Sequence, residues 1–297
     1  MRIIVTGAEG FVGSNLVLVL TKDHDVVVLD YLVSRDISNL PEDIDYINCD
    51  LSKVNINKLP KADLVIHLAT ISIERISETP MYKDINRTSM MKILEYVMKH
   101  KTDLIFSSTA SVYGSGTNFT ESSPLNPLSD YSATKILEEN HAKFCSENYD
   151  LNVTILRYSN CYGDTTYIKN KFYPGKKDVV RILLETAMKD KALPIVRNQS
   201  RDFTFIDDLV SATCSVIGLK GFNVFNVGTG IETKIEDVAE IIMQVLGKQL
   251  TLKTIEPRKI DNLKRRSVNI DKISKLWKPK YGLREGIELY AKRRGYV

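Results

Sequence analysis

The chain has 297 residues, 43% of them apolar and 26% charged, with 41 Lys and Arg against 37 Asp and Glu and a formal net charge of +4. A chain this long corresponds to roughly two domains and buries about three quarters of its unfolded surface, so it needs no metal or disulfide staple. The small basic excess gives little drive toward nucleic acid, no apolar run is long enough to span a bilayer, and the opening MRIIVTGAEGF enters a strand pattern with no leader peptide before it.

The expected location is therefore the cytoplasm, with neither nucleic acid nor membrane as a partner. Cys49, Cys145, Cys161 and Cys214 form no CxxC pair. They read as free thiols, and no metal site is expected.

The apolar runs RIIVTG, NLVLVLTK, DVVVLD, DYINCD, ADLVIHLA, DLIFSST and NVTILRYS follow one another with helical segments between them. Continuous β-branched runs such as IIV, VVVL and LVIHL suit strands covered on both faces, so the alternation predicts an α/β fold with a parallel sheet as far as residue 163. Beyond it, a polar stretch at 164–177, a helical period over 179–188 and the strand-like pieces ALPIV, NVFNV and LTLKTI predict a smaller, mixed α/β C-terminal domain. No repeat or long Gly/Ser linker separates the halves, which places a cleft between closely packed domains.

The first chemical signal follows the first strand. Thr6-Gly7-Ala8-Glu9-Gly10-Phe11-Val12-Gly13 puts glycines at 7, 10 and 13, before a helical stretch opening at Ser14-Asn15-Leu16. Each glycine answers a demand that a Cβ would defeat: a tight turn out of the strand, backbone close enough to touch a pyrophosphate, and a helix packed hard on the sheet. The helix N-terminus adds free N–H groups and the positive end of its dipole. DVVVLD ends in Asp30, at the distance where a carboxylate binds the adenosine ribose hydroxyls. The spacing predicts a dinucleotide site formed by Gly7, Gly10, Phe11, Val12, Gly13 and Asp30, with turn glycines beside a chance acid as the bland alternative. Asp30 repels a 2′-phosphate and Tyr31-Leu32 offers no cation to offset it, so NAD is expected rather than NADP, with Arg35 the one nearby cation.

The second signal is Tyr131-Ser132-Ala133-Thr134-Lys135, a phenol and an ammonium four residues apart, on one helix face. A phenol is a poor base at neutral pH unless positive charge stabilises its anion, and Lys135 with an oxidised nicotinamide supplies it. The same spacing occurs by chance in many helices. FSSTASVYG runs an apolar strand into hydroxyls at its C-terminal end, where open α/β sheets bind ligands, and Thr109 there is placed to bond both a substrate oxygen and the phenol. Ser and Thr are also ordinary strand-end residues. The end of ADLVIHLAT, with Leu68 and Ala69, approaches the cofactor, and His67 reads as a satisfied core histidine.

The set TGAEGFVG, Asp30, HLAT, SSTASVYG, YSATK, LRYSNCYG, RDFTFIDD, NVGTG and WKP, in that order over nearly the whole chain, resembles the extended short-chain dehydrogenase/reductase superfamily, in its branch of NAD-dependent nucleotide-sugar epimerases and dehydratases. The resemblance implies a Rossmann-type doubly wound parallel sheet binding NAD over residues 1–163, with a segment around 203–218 packing back on it, and a nucleotide-sugar-binding domain over 164–297. It implies Thr109, Tyr131 and Lys135 as the catalytic hydroxyl, tyrosine and lysine. It also implies Asp50 with Leu51 near the adenine, Asn86 beside the active site, Asn160 at the substrate diphosphate, Arg201 and Arg258 holding it, and Asp261 near the nucleotide ribose. Guanidinium forks pair naturally with phosphate oxygens. A homodimer through a helical bundle is implied as well, with the helices near 90–99 and 132–147 as candidates, although their apolar positions could equally pack on the chain's own sheet. The polar segment 165–177 is either a lid over substrate or an inert surface loop.

Enzymes of this type take the proton of a sugar hydroxyl, normally at C4, with the tyrosine while the carbon gives its hydride to NAD. Related dehydratases carry Asp-Glu after the threonine, and decarboxylases carry Glu just before VYG; here those positions are Ala110 and Ser111. With no acid to drive elimination, the resemblance implies 4-epimerisation with NAD retained, acting on a UDP-sugar such as UDP-glucose and UDP-galactose. A nucleotide-sugar ketoreductase or dehydratase is the alternative enzyme, distinguished by net consumption of reduced nicotinamide or release of water. A non-catalytic NAD-binding regulator would have no need to keep Thr109, Tyr131 and Lys135 together.

Overall fold

Strands β1 (Arg2–Thr6), β2 (Asp25–Asp30), β3 (Asp45–Asn48), β4 (Leu64–His67) and β5 (Asp103–Thr109) alternate with helices α1 (Phe11–Leu20), α2 (Ile73–Glu78) and α3 (Tyr82–His100). This is a computed structural model, and it describes residues 1–31, 40–79, 81–164, 167–168, 171–172, 178–257 and 264–297. Arg35, Arg258, Asp261 and most of the segment 165–177 lie outside the described residues. Two more strands, Val153–Tyr158 and Phe222–Val227, complete a seven-stranded sheet in the order Phe222–Val227, Val153–Tyr158, β5, β4, β1, β2, β3. All its pairs are parallel. The strand order reverses between β1 and β4, the switch point beside which sheets of this kind hold ligands.

The two faces of the sheet follow from the period of two along each strand. Ile3, Val5, Val26 and Val28 join one apolar cluster that runs through α1 and α6 (Ile206–Ser215), whereas Ile4, Val27, Leu29 and Val65 join another, with Met90, Ile93 and Val97 of α3. Between those helices in the chain come α4 (Asp130–Tyr149), which packs on α3, and α5 (Val179–Ala187); α7 (Ile235–Val245) and α8 (Leu283–Arg293) follow α6. NLVLVLTK, a run of strand length, is the body of α1. The turn at Gly7 and the helix start at Gly10 set its conformation, and Leu16, Val17 and Leu20 bury while Val19 stays exposed.

One piece expected in the C-terminal domain lies elsewhere. NVFNV belongs to Phe222–Val227, which pairs with Val153–Tyr158 from Phe222↔Val153 to Val227↔Tyr158 as the outermost strand of the main sheet. Its alternating pattern fits any half-buried strand, and the partner that decides its place is more than sixty residues away. ALPIV and LTLKTI do form a small separate pair, Leu193–Ile195 with Leu252–Thr254. Other short pairings bring distant segments over the ends of the main strands: Asn160–Tyr162 with Phe203–Phe205, Ser200–Arg201 with Thr233–Lys234, and Gly116–Phe119 with Arg266–Val268. Among the described residues no helix is long and apolar enough to cross a membrane.

Candidate active site

The loop after β1 is built by exclusion of side chains. Gly7 has φ +70°, and a Cβ there would lie 2.6 Å from the backbone of Ala69 at the end of β4; a Cβ on Gly13 would lie 2.2 Å from Gly7 O. A Cβ on Gly10 would meet only Gly7 O, at 3.1 Å, and would instead fill the space over the loop. No side chain caps α1 and its first turn holds no acid, so its N-terminal dipole faces that space uncompensated. Asp30 ends β2 with one oxygen accepting the Glu9 N–H at 2.9 Å and the other the Tyr31 N–H at 2.8 Å. Burial pushes its carboxyl above the usual value against these two bonds, and each oxygen retains a lone pair for a ribose hydroxyl. These residues fit a dinucleotide: a backbone cradle, a helix N-terminus and an acid beyond it. Leu51 is a core residue, and Asp50 accepts bonds from the Ser52 N–H and hydroxyl at 3.0 and 2.6 Å.

The expected proton-transfer residues lie at the C-terminal end of β5 and in the first turns of α4. Ser129 and Ser132 form a reciprocal cap that starts α4, which places Tyr131 and Lys135 one turn apart within its first two turns. Lys135 is 2% exposed, with Nζ 4.5 Å from the Phe106 ring centre and 3.1 Å from Glu138 Oε2. Thr109 ends β5, and its Oγ1 lies 3.0 Å from the Ser111 hydroxyl and accepts the Ser111 N–H at 3.1 Å. His67 Nδ1 is 2.7 Å from Thr6 Oγ1. Burial, with the nearby Lys135 charge, brings the imidazole down to about 3. It is a neutral core histidine, as expected. Asn86 accepts the Ile71 N–H at 2.7 Å and donates to Ile71 O at 3.1 Å, so its amide shapes the chain just after β4.

α4 is fixed laterally by a buried network. Arg157 donates to both oxygens of Glu139 at 2.6–3.2 Å, to the Tyr113 hydroxyl at 2.7 Å and to Glu121 O at 3.1 Å, while Ser108 bonds Glu139 as well. No motif singled out Glu139 or Arg157. The one available signal was a lone arginine inside the apolar strand VTILRY, which has to find an acid when buried.

Across the cleft, Asn160 begins a short strand and its Oδ1 accepts a bond from Arg266 Nη2 at 2.9 Å. Arg266 Nη1 is shut off from solvent with no hydrogen-bond partner among the described residues. Burial and the adjacent Arg201 lower this guanidinium to about 9, while Asp202 and the Tyr131 phenol, which it also faces, act in the opposite sense. Asp202 does not neutralise it directly: its oxygens accept the Thr229 N–H and hydroxyl and the Gly230 N–H, at 2.7–3.0 Å. Arg201 is buried, with Nη1 on Ser200 O at 2.8 Å. Two guanidiniums and an amide thus converge, a composition suited to an anion. Arg266 lies in the basic run KRRS, which reads as surface in sequence. Among the described residues no group of acids, histidines and cysteines could hold a metal ion.

A family model described as the NAD dependent epimerase/dehydratase family matches residues 3–228. The chain is 32% identical, over 96% of both sequences, to a putative UDP-glucose 4-epimerase of Methanocaldococcus jannaschii. It superposes with a TM-score of 0.89 on a UDP-glucose 4-epimerase of Thermotoga maritima solved with UDP-glucose, 26% identical with 99% of both chains covered. On the Thermus thermophilus UDP-glucose 4-epimerase solved with NAD the score is 0.87, at 27% identity and 100% coverage of both.

Proposed function

We propose that this chain, which belongs to the NAD dependent epimerase/dehydratase family, inverts C4 of a UDP-sugar and so interconverts UDP-glucose and UDP-galactose. The observation that carries this is the cluster of Arg266, Arg201 and Asn160, in which Arg266 also feels the charge of the Tyr131 phenol. An anion seat facing a candidate base suits a sugar that carries a phosphate at one end and a reactive hydroxyl at the other. NAD, when bound, accepts a hydride from the sugar carbon and returns it.

Every other part belongs to the chain. Tyr131 takes the proton of the C4 hydroxyl and, after the keto sugar turns to present its other face for hydride return, gives the proton back to the C4 oxygen. Lys135 holds the phenolate at neutral pH by its charge. Thr109 positions the hydroxyl by hydrogen bonding, its own Oγ1 oriented by Ser111. Asn160, Arg201, Arg258 and Arg266 hold the diphosphate, with Asp261 near the nucleotide ribose. The glycine loop, Asp30, Asp50, Leu51, Leu68 and Ala69 hold the dinucleotide, and Asn86 keeps the floor of the site in shape. Positions 110 and 111 are Ala and Ser, so no acid there expels water from the keto sugar.

In this reading residues 1–163, with 203–218, carry the cofactor and the remainder of 164–297 carries the nucleotide sugar. Met91, Leu137 and Phe144 of α3 and α4 are exposed, and a homodimer formed through those helices covers them; light scattering on Phe144→Glu checks this by loss of the dimer. The absence of a disulfide among the four cysteines suits a reducing cytoplasm. Incubation with UDP-galactose tests the activity: UDP-glucose is the expected product, without net change in reduced-nicotinamide absorbance. Dehydrated or decarboxylated sugar, or no isomer, rejects it.

A further inference from the structure

One buried carboxylate lies beside Lys135, the lysine that supports the proposed base, without a part in the proposed reaction. Glu138 is 2% exposed and its Oε2 lies 3.1 Å from Lys135 Nζ, yet that oxygen has no hydrogen bond among the described residues. Its neighbour Glu139 is fully engaged by Arg157 and Ser108. Farther along α4, Ala142 and Cys145 join the apolar cluster under the sheet, so an apolar side chain at 138 would continue that surface without the desolvation an ion suffers.

We propose that Glu138 is a positioning residue for Lys135, which holds the ammonium in place and offsets its charge so that the pair, rather than the lysine alone, sets the acidity of Tyr131. Residues 131, 135 and 138 recur at helical spacing along one side of α4. Helical side chains lean toward the N-terminus, so the Glu138 carboxylate reaches back to Lys135, and residue 135 is one turn from residue 131 where residue 138 is two. The positive charge is thereby nearer the phenol than the negative one, and the phenol feels the difference. A full charge about two helical turns away, in surroundings of intermediate polarity, changes a pKa by about one unit.

Other charges face this group and stay constant in the test. They are His67 from β4, Arg157 from Val153–Tyr158 with its partner Glu139 on α4, and Arg266 from Arg266–Val268. From α3, Lys83 pairs with Asp130, and Arg87 with Asp84, all in exposed positions.

The proposal rests on Tyr131 being the base, and its test separates the two ideas. The phenolate of residue 131 is titrated by ultraviolet difference absorbance, comparing the NAD-loaded protein and its Tyr131→Phe counterpart, with and without Glu138→Gln. Glu138→Gln is expected to lower the Tyr131 pKa by about one unit, and to move the acid limb of kcat by the same amount. An unchanged or raised value overturns the proposal. Glu138→Leu, which removes the charge while matching the apolar surroundings, serves if the glutamine variant folds poorly, with the same expected direction. Should Tyr131→Phe retain turnover, the base assignment fails; should it abolish turnover while Glu138→Gln leaves the titration where it was, only the role of Glu138 fails.

Discussion

Arg157 and Arg266 sit in opposite circumstances. Arg157, beneath α4, has an acid on both forks, a phenol hydroxyl and a backbone carbonyl, and although burial pulls against it, Glu139 holds it above its ordinary pKa. Arg266, across the cleft, has one amide oxygen, a second arginine beside it and a nitrogen with no partner among the described residues, and it falls to about 9. A charge that is satisfied inside the fold stabilises the fold; one that is left wanting reserves its interaction energy for a ligand. The contrast separates scaffold from binding site without reference to any motif.

Arg157→Met should produce the largest effect, because it strands Glu139 in the interior without its cation. Denaturant titration is expected to show a loss of about 3–5 kcal/mol, and an unchanged midpoint would erase the distinction. Arg266→Met should do the reverse. Removing an uncompensated, half-buried cation leaves the midpoint equal or raised, on the order of 1 kcal/mol, while KM for the UDP-sugar climbs about 10- to 100-fold as a charge-assisted bond is lost. NAD affinity, measured by calorimetry, should not move.

The two arginines also differ in pH response. Since the folded-state pKa of Arg266 is lowered, the unfolded chain holds that proton more tightly above pH about 9, so its cost to stability is relieved as pH rises through about 9 while affinity for the anionic sugar weakens. Binding titrations across that range should show the weakening in the native chain and lose this component in Arg266→Met. The smallest effect comes from Ser129→Ala, which removes the cap that starts α4 and should cost about 1 kcal/mol. Because the Arg157–Glu139 bond still anchors the helix farther along, kcat should fall only a few-fold in a steady-state assay.

The glycine loop, Asp30 and the Tyr131–Lys135 turn were legible because backbone exclusion and helical spacing leave their mark within a few consecutive residues. The parallel sheet was legible for the same reason, from short runs that carry their own period. The place of Arg266 beside Asn160 and Arg201 was not, since it depends on the pairing of Asn160–Tyr162 with Phe203–Phe205 and on the bridge from Ser200 to Arg265, between segments far apart in the chain. Nothing in KRRS distinguishes a buried arginine from a solvated one. The Arg157–Glu139 bond depends in the same way on which face of α4 meets which strand, as does the return of Phe222–Val227 to the main sheet.

The central claim is that one carbon loses its hydride and regains the same hydride on its other face while Tyr131 carries the hydroxyl proton. UDP-galactose deuterated at C4 tests it most directly. The expected product is UDP-glucose that keeps the deuterium at C4, with the label lost neither to water nor to another carbon, and no such product from Tyr131→Phe. Deuterium released to solvent during inversion would contradict it.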